Sequence, residues 1–231
     1  MKNIVVLTGA GMSAESGIKT FRDTGGLWEG YEIEEVATPG AFEKNPKLVF
    51  DFYNQRRKQL FDVEPNKAHH YLKDLENYYN VTIITQNVDD LHERAGSSNV
   101  LHLHGELKKV QSTLDSSLLY TMEDWELKVG DTCEKGGQLR PHIVWFGEEV
   151  PNILPAADMV SKADCLIVVG TSLNVYPAAG LIHEARQNIP IYLVDPSDVD
   201  TGFLKGVQII QTNAGEGLTS LVNELLENNK K

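Results

Sequence analysis

An apolar run, Ile4-Val5-Val6-Leu7, opens directly into a glycine-rich segment, GAGMSAESGIKTFRD, from Gly9 to Asp23. A short apolar run that stops at glycine predicts a strand buried on both faces, as in parallel sheets covered by helices. Gly9 and Gly11 lack a Cβ and can take positive φ, so the backbone N–H groups of the loop can close on a pyrophosphate. Ser13, Ala14 and Glu15 suit a helix start, and Ala14 stands at the third small position of the dinucleotide-phosphate pattern. The acidic residue that a dehydrogenase carries about twenty positions further on is not readable. Phe21-Arg22-Asp23 leads instead into Thr24-Gly25-Gly26-Leu27-Trp28, a loop able to fold over a cofactor and exclude water. The pattern points to dinucleotide use without hydride transfer.

Apolar runs predict strands at 3–8, 81–85, 165–169, 190–194 and 207–210, and amphipathic patterns predict helices at 47–61, 66–78, 178–187 and 215–227. Strands alternating with helices predict an α/β fold around a parallel sheet. The helical stretch 30–79 and the polar, irregular stretch 106–146 interrupt that alternation and read as insertions building a smaller lobe. The main lobe then comprises about 1–29, 80–105 and 147–231, within a single domain. With 33 Asp and Glu against 21 Lys and Arg the chain is acidic, which argues against a nucleic-acid partner. No apolar run reaches membrane-spanning length, and the first strand lacks the basic start and cleavage site of a signal peptide. The expectation is a soluble cytoplasmic protein with no membrane partner.

The strand at 81–85 ends in Gln86-Asn87-Val88-Asp89-Asp90-Leu91-His92. Carboxamides and carboxylates at the carboxyl end of a strand lie where open α/β sheets bind ligands, although Asn and Asp equally suit a capped turn. Leu101-His102-Leu103-His104-Gly105 follows, and a neutral imidazole suits proton abstraction near pH 7. Of its two histidines, His102 reads as a core residue. Gly170, Thr171 and Ser172 follow the strand Cys165-Leu166-Ile167-Val168-Val169, where a small residue lets backbone approach phosphate and the hydroxyls can donate to it.

In this order and spacing, GAGMSAESGIKTFRD, TQNVDDLH, HLHG, RPHIVWFGE (140–148), GTSLNVYPAAG (170–180) and VDPS (194–197) resemble the sirtuin family of NAD-dependent protein lysine deacylases, nearly end to end. The resemblance implies a Rossmann-like lobe that binds NAD as co-substrate, a smaller inserted lobe, and an acylated-lysine protein or peptide in the cleft between them. It implies that the acyl-lysine amide oxygen displaces nicotinamide from the ribose, and that nicotinamide and O-acyl-ADP-ribose are released. His104 stands where the family places its base. Asn87 and Asp89 stand where it contacts the nicotinamide ribose, an ordered water and the carboxamide, with Gln86 in the same cluster. Gly9, Ala10, Gly11, Ser13, Glu15, Phe21 and Arg22 fall in the cofactor loop, and Gly170, Thr171 and Ser172 at the phosphates. Asp195 occupies a position where many members have Asn on the adenosine side, and Ala214 borders adenine. Val144, Phe146 and Gly147, with Leu173 and Val175, belong to two segments that sandwich an extended peptide, Val144 and Phe146 lining a tunnel for the lysine stem. Transfer of ADP-ribose to a protein nucleophile and a non-catalytic NAD-sensing module are alternative readings of the same pocket.

Two features set this chain apart within the family it resembles. Most members build the small lobe around a zinc held by two Cys-x-x-Cys pairs, whereas this chain has only Cys133 and Cys165. Counting from His104, the first pair falls on Ser112 and Asp115 and the second near 132–136, where only Cys133 is a thiol. The module reads as degenerate and no zinc is expected, with Cys165 an inert apolar residue of its strand. The second feature is Tyr53 and Arg56, three apart on one helix face. They resemble the subgroup that removes negatively charged acyl groups, and Ala37 stands where that subgroup widens its pocket. A guanidinium fork with a nearby phenol suits the distal carboxylate of succinyl- or malonyl-lysine better than acetyl-lysine. Arg57 belongs to no motif, and its removal should matter little.

Overall fold

The computed structural model describes residues 1–19, 30–199 and 206–229. The first strand, β1 (Asn3–Thr8), runs into two 3-10 turns, Ala10–Met12 and Ala14–Ser16. Helices α1 (Ile33–Val36), α2 (Pro39–Lys44), α3 (Pro46–Asp62) and α4 (Lys67–Leu75) follow. The next elements are β2 (Asn80–Thr85), α5 (Leu91–Arg94) and β3 (Val100–His102). Then come β4 (Gly105–Ser112), β5 (Leu119–Thr121), β6 (Leu139–Ile143) and α6 (Ile153–Ser161). The chain continues with β7 (Cys165–Val169), a 3-10 segment (Ala178–Glu184), β8 (Ile191–Val194), β9 (Val207–Ile210) and α7 (Ala214–Asn229).

Six strands pair in the order β3-β2-β1-β7-β8-β9, every neighbour parallel. This is the doubly wound arrangement, with the strand order reversing between β1 and β7, and ligands bind outside the carboxyl ends at that reversal. Alternation along β1 divides the core into two layers. Ile4 and Val6 pack with Ile83, Ile167 and Val169 under Leu72 of α4 and Leu218, Leu221 and Val222 of α7. Val5 and Leu7 face the other way, onto Leu166, Val168, Ala156 and Val160 of α6, and Leu181. Each such side chain, fully buried, contributes about 1.5–3 kcal/mol of transfer free energy.

A second core lies around α3. Phe52, Tyr53 and Leu60 pack with Val36, Ala37, Leu107, Ile143 and Trp145. Helix α3 starts at Pro46, with the Asn45 side chain accepting from the Leu48 N–H at 3.2 Å. Strands β5-β4-β6 form a separate antiparallel sheet across 105–143, so the stretch expected to be irregular carries regular structure. Its strands escape a sequence reading because β5 has three residues, the β4–β6 register shifts between Gly105 and Val110, and Pro141 stands inside β6. Two other expectations are corrected. Ser13 to Glu15 do not open an α-helix, and 178–184 is 3-10 rather than the α-helix expected over 178–187, with Gly180 in its middle.

The expected zinc positions lie beside this antiparallel sheet and bond to one another. The Cys133 thiol donates to Ser112 Oγ at 3.1 Å, and the same oxygen accepts from the Leu114 and Asp115 N–H groups at 3.1 and 3.3 Å. Asp115 pairs with Lys135 at 2.7 Å and also holds the Ser117 hydroxyl and N–H. Cys165 lies in β7, within the core of the large sheet. Ser112, Asp115 and Cys133 therefore do not form the thiolate set a structural zinc needs.

Arg57 overturns its expectation. It is fully buried and donates from Nε to the Leu107 carbonyl at 2.7 Å, and from Nη1 to Asn54 Oδ1 at 2.9 Å and the Trp125 carbonyl at 2.6 Å. Asn54 in turn bonds both the N–H and the carbonyl of Leu127. This pair ties α3 to β4 and to the 125–127 segment. Arg57→Met leaves buried carbonyls without donors and should lower unfolding free energy by about 3 kcal/mol or more in urea denaturation. A change within about 0.5 kcal/mol, the range of ordinary surface substitutions, would contradict this role.

Candidate active site

The ends of β1 and β7 touch at the strand reversal. The Gly9 N–H donates to the Val169 carbonyl at 3.0 Å and the Gly11 N–H to the Gly170 carbonyl at 2.9 Å. A Cβ on Gly9 would lie 2.7 Å from the Gly170 oxygen, and one on Gly170, whose φ is +64°, 2.3 Å from the Met12 nitrogen. Close approach, rather than the expected positive φ, explains Gly9 and Gly11: Gly9 has φ −124°. Their N–H groups are engaged in holding the two loops together. Ala10, between the two glycines, is exposed. The Glu15 carboxylate accepts from the Gly215 N–H at 2.6 Å and so sits at the start of α7, next to Ala214.

The segment after β2 is bound to the same loop. Asn87 Nδ2 donates to the Gly9 carbonyl at 3.0 Å and to Ser13 Oγ at 3.1 Å, and the Ser13 hydroxyl donates to Asp89 Oδ2 at 2.9 Å. Asp89 Oδ1 also accepts from the Leu91 N–H, the first of α5, at 3.2 Å. Burial raises the Asp89 carboxyl above its ordinary pKa, against the lowering by Ser13 and Leu91. Gln86 Nε2 donates to Thr171 Oγ1 at 3.3 Å, joining this segment to the loop after β7.

The pKa values of the two histidines in the next segment are shifted in opposite directions. His104 Nδ1 lies 3.1 Å from the Gln86 carbonyl, which only accepts. Nδ1 therefore carries the hydrogen and Nε2 keeps a lone pair. Burial lowers the His104 pKa, opposed by the Gln86 carbonyl, so the ring is neutral at pH 7. His102 has acceptors on both sides: the Asn87 carbonyl 3.0 Å from Nδ1 and Glu93 Oε1 2.8 Å from Nε2. Burial pulls its pKa down, but the Glu93 hydrogen bond and charge prevail and raise it, favouring an imidazolium that grips the Asn87 backbone. His102 is thus a buried strut and more than a passive core residue.

These elements border a cleft of about 620 Å³. Gly9, Ala10, Gly11, Ser13 and Glu15 line it, with Gln86, Asn87, Asp89 and His104. So do Gly170, Thr171 and Ser172 beyond β7, Asp195 beyond β8, and Ala214 at the start of α7. Asp195 Oδ1 accepts from the Ser197 N–H at 2.9 Å, which turns the chain past the strand end. From the other core come Ala37, Tyr53, Arg56, Val144, Phe146 and Gly147, with Val175 from the loop beyond Ser172. Leu173 does not line the cleft; it is buried in the core with φ 56°. Phe21 and Arg22 lie outside the described residues.

The 144–148 segment is fixed on three sides. The Val144 N–H donates to the His104 carbonyl and the Phe146 N–H to the Ala37 carbonyl, both at 3.0 Å. Arg140 holds Glu148 bidentately at 2.7 and 2.9 Å, and Glu148 accepts from the Trp145 N–H at 2.8 Å. Trp145 is buried, whereas Phe146 is 49% exposed on the cleft wall. Burial pushes the Tyr53 phenol well above its ordinary pKa, against the pull of Arg56. Ile18, Lys19, Gln59 and Leu60 also border the cleft and were not foreseen. Gln59, three residues after Arg56, donates to the Gly17 carbonyl at 3.2 Å, and helical spacing was the one signal that could have found it.

The Sir2 family model matches residues 9–177. A relative from Bacteroides thetaiotaomicron named "NAD-dependent protein deacylase" is 54% identical, covering 98% of this chain and 99% of its own. One of the same name from Helicobacter pylori is 56% identical, covering 98% and 97%. Among solved structures, a Sir2 homolog–NAD complex superposes with a TM-score of 0.89 at 41% identity, over 99% of this chain and 91% of its own. A family model that spans the glycine loop, both histidines and the 144–148 segment, with relatives matched over nearly their whole length, establishes that this chain belongs to the Sir2 family.

Proposed function

We propose that the protein is an NAD-dependent protein lysine deacylase that favours acidic acyl groups, succinyl and malonyl, over acetyl. One observation carries the preference: Tyr53 and Arg56 line the same cleft as His104. NAD would supply the ribose carbon from which nicotinamide leaves and the ribose hydroxyl on which the acyl group is carried away. The cleft suits that co-substrate, since it opens at the strand reversal and has the volume of a small-molecule site. His104 Nε2, unprotonated and lining the cleft, takes the proton from a ribose hydroxyl. Asn87, Ser13 and Asp89 form a bonded row that orients the nicotinamide end, and Thr171 and Ser172 offer hydroxyls to phosphate. Val144 to Gly147 and the loop at Val175 border the acyl-lysine peptide. Arg56 meets the distal acyl carboxylate with Tyr53 as a further donor.

His104→Ala should cut kcat/KM by roughly 10²–10⁴ while NAD affinity stays largely intact. In the wild-type enzyme the base is active when neutral, and its pKa is lowered. The acid limb of kcat/KM assigned to His104 should therefore have its midpoint below the unperturbed histidine value of about 6.5. Near wild-type turnover by His104→Ala, or a midpoint above that value, would remove His104 from the role.

Arg56→Met should lower kcat/KM for succinyl-lysine peptide by roughly tenfold to a hundredfold, mostly through KM, and erase the preference over acetyl. Lys47→Met is the matched control, because that lysine is 78% exposed and pairs with Asp51 one turn further along α3. Equal succinyl kinetics for wild type and Arg56→Met would return Arg56 to a purely structural reading.

The small lobe, about 30–79 and 106–146, holds together in this reading without zinc, through Ser112, Cys133, Asp115 and Lys135. Incubation with a strong chelator should leave Tm unchanged within about 1 °C, whereas zinc-dependent modules unfold when stripped. A large fall in Tm with stoichiometric metal release would show that a metal holds the lobe after all.

A further inference from the structure

The Tyr53 hydroxyl has one hydrogen, and its direction decides what the phenol can do in the cleft. Trp145 Nε1 lies 3.0 Å from the Tyr53 oxygen. An indole N–H donates and cannot accept, so the phenol oxygen accepts there and its own hydrogen must point elsewhere. Among the described residues the Trp145 contact is the hydroxyl's one hydrogen bond, and Tyr53, fully buried, forms part of the cleft wall. Accepting from the indole also polarises the phenol and strengthens it as a donor.

Trp145 is itself held on every side. The Arg140 guanidinium lies 3.7 Å from the indole centroid, and the Phe42 ring 5.3 Å from it. Its backbone N–H is held by Glu148, which is locked by Arg140. The same residue thus joins the segment proposed to border the peptide to the side chain proposed to read the acyl group.

We infer that Trp145 is a positioning residue for acyl-group selectivity: its indole N–H occupies the Tyr53 oxygen and so turns the phenol O–H, as a donor, toward the distal carboxylate of an acidic acyl-lysine. The inference rests on the acidic-acyl reading above. No charge is added to the pocket by Trp145. It fixes which way an existing donor faces, so its effect belongs to acidic substrates and passes through Tyr53.

The test compares kcat/KM for succinyl-lysine and acetyl-lysine peptides in wild type, Trp145→Phe, Tyr53→Phe and the double variant. Trp145→Phe keeps an aromatic ring and removes the N–H. The succinyl-to-acetyl ratio should fall about tenfold, mainly through succinyl KM, and in the Tyr53→Phe background the same change should leave the ratio unaltered. A merely structural Trp145 would lower both substrates together at constant ratio, and that result overturns the inference. If Trp145→Phe does not fold, benzothienylalanine at position 145 replaces the N–H by sulfur at nearly constant shape, and the same ratio decides. A wild type without succinyl preference, indifferent to Arg56→Met, fails the acidic-acyl reading and this inference with it. A wild-type preference that Arg56→Met collapses but Trp145→Phe leaves intact overturns the role of Trp145 alone.

Discussion

The site depends on the contact between the loops that leave β1 and β7. Gly9, Gly11 and Gly170 bring two backbones so close that a Cβ on any of them would fall 2.3–2.7 Å from a neighbouring atom. No flexible side-chain end is available to move aside, because most of the obstructing atoms are backbone. Once the loops are closed by the Gly9–Val169 and Gly11–Gly170 hydrogen bonds, the Gly9 carbonyl is presented to Asn87, and Ser13 stands between Asn87 and Asp89. This side of the cleft is thereby assembled from three strand ends of one sheet.

The opposite side is assembled differently, from a helix and a loop whose core is distinct. Helix α3 supplies Tyr53 and Arg56 toward the cleft and Arg57 toward the carbonyls of Leu107 and Trp125. Adjacent arginines thus have unrelated duties, one bordering the solvent-accessible cleft and one buried. The same division recurs two residues apart in the histidine segment. His104, against a lone carbonyl, is a neutral ring with a free lone pair, while His102, between a carbonyl and a carboxylate, favours the imidazolium. The difference lies in the partners that β3 and the loop after it happen to face, and no property of histidine itself separates the two.

That dependence on partners explains what was legible in the chain. The strands at 3–8, 81–85, 165–169 and 190–194 were readable because parallel strands buried on both faces are mostly apolar runs, and the half-exposed edge strand at 207–210 was readable from Val207, Ile209 and Ile210. The sheet at 105–143 was hidden because its strands are short, bulged and half-polar. Helix α6 was hidden too, since Pro155 argues against a helix unless it falls in the first turn, where its missing N–H has no partner to lose. In the site, residue types and order pointed to Asn87, Asp89 and His104. The two acceptors around His102, the burial of Arg57 and the reason for Gly9 and Gly11 required knowing what each atom touches.

The most direct measurement of the central claim is a product balance by mass spectrometry, with the enzyme, NAD and a succinyl-lysine peptide. The account predicts one nicotinamide and one O-succinyl-ADP-ribose for each lysine uncovered, with no nicotinamide released when the peptide is unmodified. Nicotinamide release that is independent of the acyl group, with ADP-ribose attached to protein or freed by hydrolysis, would contradict it.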